Sequence, residues 1–233
     1  MVFDPLYMIL ILPGLLLASY ASFKVSRAFK RYSRIPSSSG MTGAQVARQI
    51  LDRNALYDVK IERVAGHLSD HYDPTSRRLR LSQSVYDSTS IAAQGVAAHE
   101  AGHALQHKTG YAPLQLRSKL VPLAGIGSQF SWILIMLGVL IASAGGTMFV
   151  AKLGVLLFAT TVLFTLITLP VEFDASSRAK AILTQHGIVS TRETDGINAV
   201  LNAAALTYVA AAVTAILQLL YWVIRLGLFR NND

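Results

Sequence analysis

LVPLAGIGSQFSWILIMLGVLIASAGGTMFVA (residues 120–151) runs from Lys119 to Lys152 without one charged side chain. A membrane-spanning helix needs about 20 mainly apolar residues, so the run is too long for one span and suits two. Ala144-Gly145-Gly146-Thr147 supplies the turn between them, because adjacent glycines interrupt a helix. The reading is a transmembrane hairpin. Its second helix continues past Lys152 through the uncharged residues 153–171 and ends at Glu172. Lys152, near the start of that helix, has a stem long enough to reach the interface.

Two more uncharged stretches flank the hairpin: residues 5–23, between Asp4 and Lys24, and residues 196–224, between Asp195 and Arg225. Together they predict four spans near 4–23, 121–143, 148–170 and 203–225, consistent with 52% apolar residues and a mean hydropathy of +0.43. The first stretch has no basic residue before its apolar core, whereas Lys24, Arg27, Lys30, Arg31 and Arg34 follow it. That order is the reverse of a cleaved signal peptide, so the segment reads as a retained anchor. The same residues, with Arg117 and Lys119, place 24–119 on the cytoplasmic side of a plasma (inner) membrane and both termini outside. Arg225 and Arg230 pull weakly the other way. A net charge of +8 and a pI near 9.9 favour contact with anionic headgroups of the lipid bilayer. No basic–aromatic interleaving points to a nucleic acid. The absence of cysteine excludes disulfides, thiolate metal ligands and a cysteine nucleophile.

The chain is therefore expected to be a mainly α membrane protein in five parts: an anchor (1–23), a cytoplasmic region (24–119), the hairpin (120–171), a returning cytoplasmic segment (172–202), and a last helix with its tail (203–233). Within 24–119, Arg34 to Gly40 reads as a linker, and Thr42 can cap a helix near 43–54 with an apolar stripe of Ala44, Ala47, Ile50 and Leu51. Residues 58–65 and 78–82 alternate polar and apolar side chains, predicting a small β-ribbon around a polar loop from Gly66 to Pro74. Ser88 or Ser90 caps a following helix over about 90–107.

That helix carries His99-Glu100-Ala101-Gly102-His103. Residues four apart share one helical face, so His99 and His103 can close on one cation, with Glu100 beside it to take a proton from water. Two imidazoles and a carboxylate at this spacing point to zinc-dependent peptide hydrolysis. A catalytic zinc usually takes a third protein ligand. Two crossings of the membrane bring Glu172 back to the interface near which the His99 helix ends, which makes it the leading choice. Asp174 points well away from Glu172 on a helix, His107 sits one turn beyond the motif, and His67 and His71 lie in the polar loop. All four stay open as alternatives on spacing alone. His186, beside Gly187, reads as a helix end.

His99 to His103 followed by Glu172-Phe-Asp-Ala-Ser-Ser-Arg-Ala179 resembles the gluzincin membrane peptidases related to HtpX and the CAAX prenyl endopeptidases. Leu68-Ser-Asp-His-Tyr-Asp-Pro74, Val96 to Gln106 and Leu201-Asn-Ala-Ala-Ala-Leu-Thr-Tyr-Val209 make the chain more specifically similar to the YugP-type membrane zinc metallopeptidases. These segments cover much of residues 40–210. The resemblance implies a zincin-like helical domain, Zn2+ held by His99, His103 and Glu172, and Glu100 as the catalytic base. It also implies a protein or peptide substrate, membrane proteins included. In the related families a Glu-x-x-Ala-Asp helix gives the third ligand; Glu172 and Ala175 match it, and Ser176 stands where the aspartate is usual. His71, Arg178 and Tyr208 are candidates to steady the oxyanion, and the edges of strands 58–65 and 78–82 are candidates to hold extended substrate. The rival readings are a catalytically silent zinc-binding membrane scaffold and a transporter using Lys152, Gln129 and Ser131.

Overall fold

The structure, a computed structural model, describes residues 4–66 and 69–228. Its elements run α1 (Pro5–Tyr32), α2 (Gly43–Arg53), β1 (Lys60–Val64), β2 (His71–Asp73), β3 (Arg78–Ser82), α3 (Gln83–Tyr86), α4 (Ile91–Lys108), α5 (Ala112–Ser143), α6 (Phe149–Gln185) and α7 (Thr191–Arg225). The protein is mainly helical, and α1, α5, α6 and α7 are long and apolar enough to cross a membrane. Each is longer than its predicted span. The chain forms two compact units. One comprises Met1–Tyr20, Gln115–Leu169 and Tyr208–Asp233; the other comprises Ala21–Leu114 and Pro170–Thr207.

In the first unit the predicted hairpin is present, and its turn holds Gly145 at φ 87°, a backbone conformation nearly reserved for glycine. The two arms approach closely enough that a Cβ on Gly154 would stand 2.7 Å from the Ile135 nitrogen and 2.9 Å from the Ser131 carbonyl oxygen. Small residues at such a crossing give membrane helices the contact that lipid cannot provide. Ile135, Ala151 and Val155 pack there with Tyr221 and Trp222 of α7. Leu140, Phe149 and Leu156 are exposed large apolar side chains on the same helices, as a surface facing lipid requires.

The second unit has α4 at its centre. Ala92, Ala93, Ala97, Ala98, Ala101 and Ala104 are all buried, and a helix apolar around most of its circumference belongs inside a core. Around it lie Val46, Ile50 and Leu51 of α2, Leu79 and Leu81 of β3, Ala179 and Leu183 of α6, and Ile197 and Leu201 of α7. Thr42 and Gln45 form a reciprocal capping box on α2, and Ser90 caps α4 by accepting from the Ala93 amide.

The predicted ribbon is a three-stranded sheet of order β1-β3-β2. β1 runs parallel to β3, with Ile61 opposite Leu79, and β2 runs antiparallel to it, with Tyr72 opposite Leu79. β2 falls inside the stretch that reads as a loop. With only three residues, and Tyr72 alone buried, it has too little alternation to announce itself.

Glu193 ties the start of α7 to the linker after α1. Its carboxylate accepts from the amide and hydroxyl of Ser190 (both 2.7 Å) and from the amide (2.6 Å) and hydroxyl (2.8 Å) of Ser38. Burial works to raise its pKa, but these four donors outweigh it and hold the group at about 2. A carboxyl depressed in the folded state stabilises above its unfolded value of 4.5 and loses that contribution as pH falls toward 2. Glu193→Ala therefore lowers stability by about 1–3 kcal/mol at neutral pH. The gap from wild type closes between pH 4.5 and 2, as followed by denaturant unfolding in detergent micelles.

Candidate metal centre

His99 and His103 stand one turn apart on α4, their ring centroids 4.7 Å apart and their planes at 85°. Glu172 enters from α6 and is almost fully buried. Its Oε2 lies 3.2 Å from His99 Nε2 and 3.6 Å from His103 Nε2. One donor atom from each of the three residues falls within a 4.8 Å cluster, and together they can hold a metal ion. Ligands bound to zinc at about 2.0–2.1 Å in a tetrahedral shell lie about 3.3 Å from one another, and the spacing of Glu172 Oε2 from the two Nε2 atoms is close to that.

The other ring nitrogens are already engaged. His99 Nδ1 is 3.1 Å from the Ser176 hydroxyl, and His103 Nδ1 is 3.0 Å from the side-chain amide oxygen of Gln106, Oε1. A zinc-binding histidine typically spends its second nitrogen on such a partner, which fixes the ring and leaves Nε2 free. Ser176, in the place of the usual aspartate, thus still reaches the first histidine. Gln106 is the residue that sequence reasoning missed. Its spacing of three from His103 puts both on one face, but a glutamine on a helix is too common to stand out.

The electrostatics suit a cation. Burial acts to raise the Glu172 pKa, yet hydrogen bonds with His103 and His99 overcome it and hold the carboxyl well below the usual range. Burial pushes His103 down, and the Glu172 hydrogen bond with the charges of Glu100 and Glu172 lifts it above its ordinary value. The pocket favours one negative oxygen matched by positive charge. Glu100 is buried beside His103, and it is not among the three clustered donors.

The alternatives go elsewhere. His107 Nδ1 meets the Tyr72 hydroxyl at 2.9 Å. Asp174 turns to Gln106 and Arg178. His71 is exposed, with Nδ1 at 2.8 Å from the Ser69 carbonyl, and His67 lies outside the described residues. Of the oxyanion candidates, Arg178 is engaged by Asp174 and lies over the Tyr111 ring, and Tyr208 lies on α7. His186 follows the last residue of α6, and Gly187 has φ 61°, as a helix end at that point requires.

A family model described as "Putative neutral zinc metallopeptidase" matches residues 7–227. The chain belongs to that family. A curated relative, "Putative membrane protease YugP" of Bacillus subtilis (strain 168), is 49% identical over 218 residues, 94% of this chain and 95% of the relative. No solved structure matches the chain. The family takes zinc as its cofactor, and the donor set of His99, His103 and Glu172 is one that zinc fits. A membrane protein is the reading that both the relative's name and the four long apolar helices support.

Proposed function

We propose that this membrane protein is a zinc-dependent endopeptidase that hydrolyses peptide bonds of protein substrates, membrane proteins among them. The observation that carries the reading is the convergence of His99, His103 and Glu172, with both Nδ1 atoms engaged elsewhere and Glu100 buried next to His103. Zinc, when bound, supplies Lewis acidity toward water and the scissile carbonyl. His99, His103 and Glu172 hold the ion. Glu100 accepts the proton of the attacking water and later delivers it to the amine nitrogen as the C–N bond breaks. The small exposure of Glu100, about 8%, keeps the proton from exchanging freely with bulk solvent.

The basic flank from Lys24 to Arg34, joined by Arg117 and Lys119, supports a centre on the cytoplasmic face of the plasma (inner) membrane, near anionic headgroups. Purified protein in detergent is expected to cleave an unfolded protein, to stop on treatment with a chelator and to resume when zinc is returned. One zinc bound per chain without chelator-sensitive cleavage would instead establish the silent scaffold.

A further inference from the structure

Gln106 lies one turn past His103 and is completely buried, and among the described residues the hydrogen bonds of its side chain run to His103 and to the helix that carries Glu172. Its Nε2 donates to the Val171 carbonyl at 2.7 Å and to Asp174 Oδ2 at 2.8 Å. Both partners are acceptors only, so the NH2 end of the amide must face them. The carbonyl end is then forced toward His103 Nδ1, 3.0 Å away. An amide oxygen can only accept, so Nδ1 must carry a proton, and in the neutral ring that a metal requires the lone pair of His103 sits on Nε2, the atom facing Glu172. Arg178 closes the chain by donating from Nε to the same Asp174 oxygen at 2.6 Å, which fixes the carboxylate that orients the amide.

We infer that Gln106 is the positioning residue of this centre: it sets the tautomer of His103 and docks the α6 backbone immediately before Glu172, so that one side chain aligns two ligands from two helices. The inference rests on the zinc-site reading above. Asp174 is not a ligand in this arrangement but the anchor of the amide, and Val171, whose carbonyl takes the other hydrogen, precedes Glu172 directly in α6.

The test is zinc affinity by chelator competition, together with the visible spectrum of the Co2+-loaded protein, which reports ligand geometry independently of cleavage. Gln106→Met keeps the length of the side chain but removes both ends of the amide. It should raise the zinc Kd by about 10- to 100-fold and alter the Co2+ bands. If Gln106→Met does not fold, Gln106→Glu alone carries the test. It is isosteric and sets two carboxylates against each other, so it should weaken zinc by about tenfold or more and alter the Co2+ bands. Zinc affinity and Co2+ bands unchanged in Gln106→Met, or in Gln106→Glu where Gln106→Met does not fold, would overturn the assignment. Failure of the wild-type chain itself to bind zinc would overturn the underlying site reading instead.

Discussion

Glu100→Gln protein is expected to bind zinc at wild-type stoichiometry while its peptide hydrolysis falls by about 10²- to 10⁴-fold, the range that a positioned general base contributes. The substitution exchanges one carboxylate oxygen for an amide nitrogen and leaves the volume in the buried site unchanged, so packing of α4 is preserved. The three clustered donors belong to His99, His103 and Glu172, and the two imidazoles keep their Ser176 and Gln106 partners. Loss of the Glu100 charge removes one of several influences that raise the His103 pKa and leaves the Glu172 carboxylate in place. Chemistry and metal binding therefore separate at this position. They do not separate at Glu172, where Glu172→Ala removes a ligand and should cost metal and turnover together. Zinc measured on the purified protein beside initial rates on one unfolded substrate checks both variants. Wild-type rates in Glu100→Gln would remove the base from the mechanism.

Much of the architecture is legible because the strongest sequence signals are long. The uncharged runs mark the spans, and the turn at 144–147 marks the hairpin. The helices nevertheless extend well beyond the apolar runs. In α6 the span gives way at Glu172 to a segment whose charges hide its core-facing stripe, yet Ala175, Ala179 and Leu183, each four apart, are all fully buried and carry the helix on to Gln185. β3 is legible through the alternation of Arg78-Leu79-Arg80-Leu81, whose leucines are buried; β2 is not, because three residues hold less than two periods of any pattern.

At the metal centre, spacing alone points to His99 and His103, and membrane parity together with the family resemblance makes Glu172 the leading choice without a distance. The partners of the ligands are harder to read, for a physical reason. A metal donor must be one of a few residue types, whereas the second nitrogen of an imidazole accepts almost any polar neighbour. Ser176 and Gln106 fill that need with residue types that occur at ordinary positions throughout the chain. The turning away of Asp174 follows from helix geometry, but its bond to Gln106 depends on the packing of α4 against α6.

Gly102, inside the motif, governs that packing, and Gly102→Val should abolish stoichiometric zinc binding although no ligand is altered. A Cβ at this position would meet the Ala175 carbonyl oxygen at 2.7 Å and the Ala175 carbonyl carbon and Cα at 3.3 Å. These are backbone atoms of α6, so no rotamer change relieves the contact, and the two helices must separate. Ala175 lies one turn beyond Glu172, and the displacement is carried to a carboxylate that now stands 3.2 and 3.6 Å from its two imidazoles. Overpacking of this kind costs about 1–3 kcal/mol of stability. A shift of even a few tenths of an ångström takes Glu172 out of a shell that requires about 2 Å to zinc. Gly102→Ala should show the intermediate effect, with zinc affinity reduced by about 10- to 100-fold as for a displaced supporting group. Gly125 provides the control, since a Cβ there meets nothing within 4 Å, and Gly125→Ala should leave affinity unchanged. Chelator competition on the three variants, paired with thermal unfolding of each, decides the matter: wild-type affinity in Gly102→Val would show that the α4–α6 approach does not set the ligand geometry.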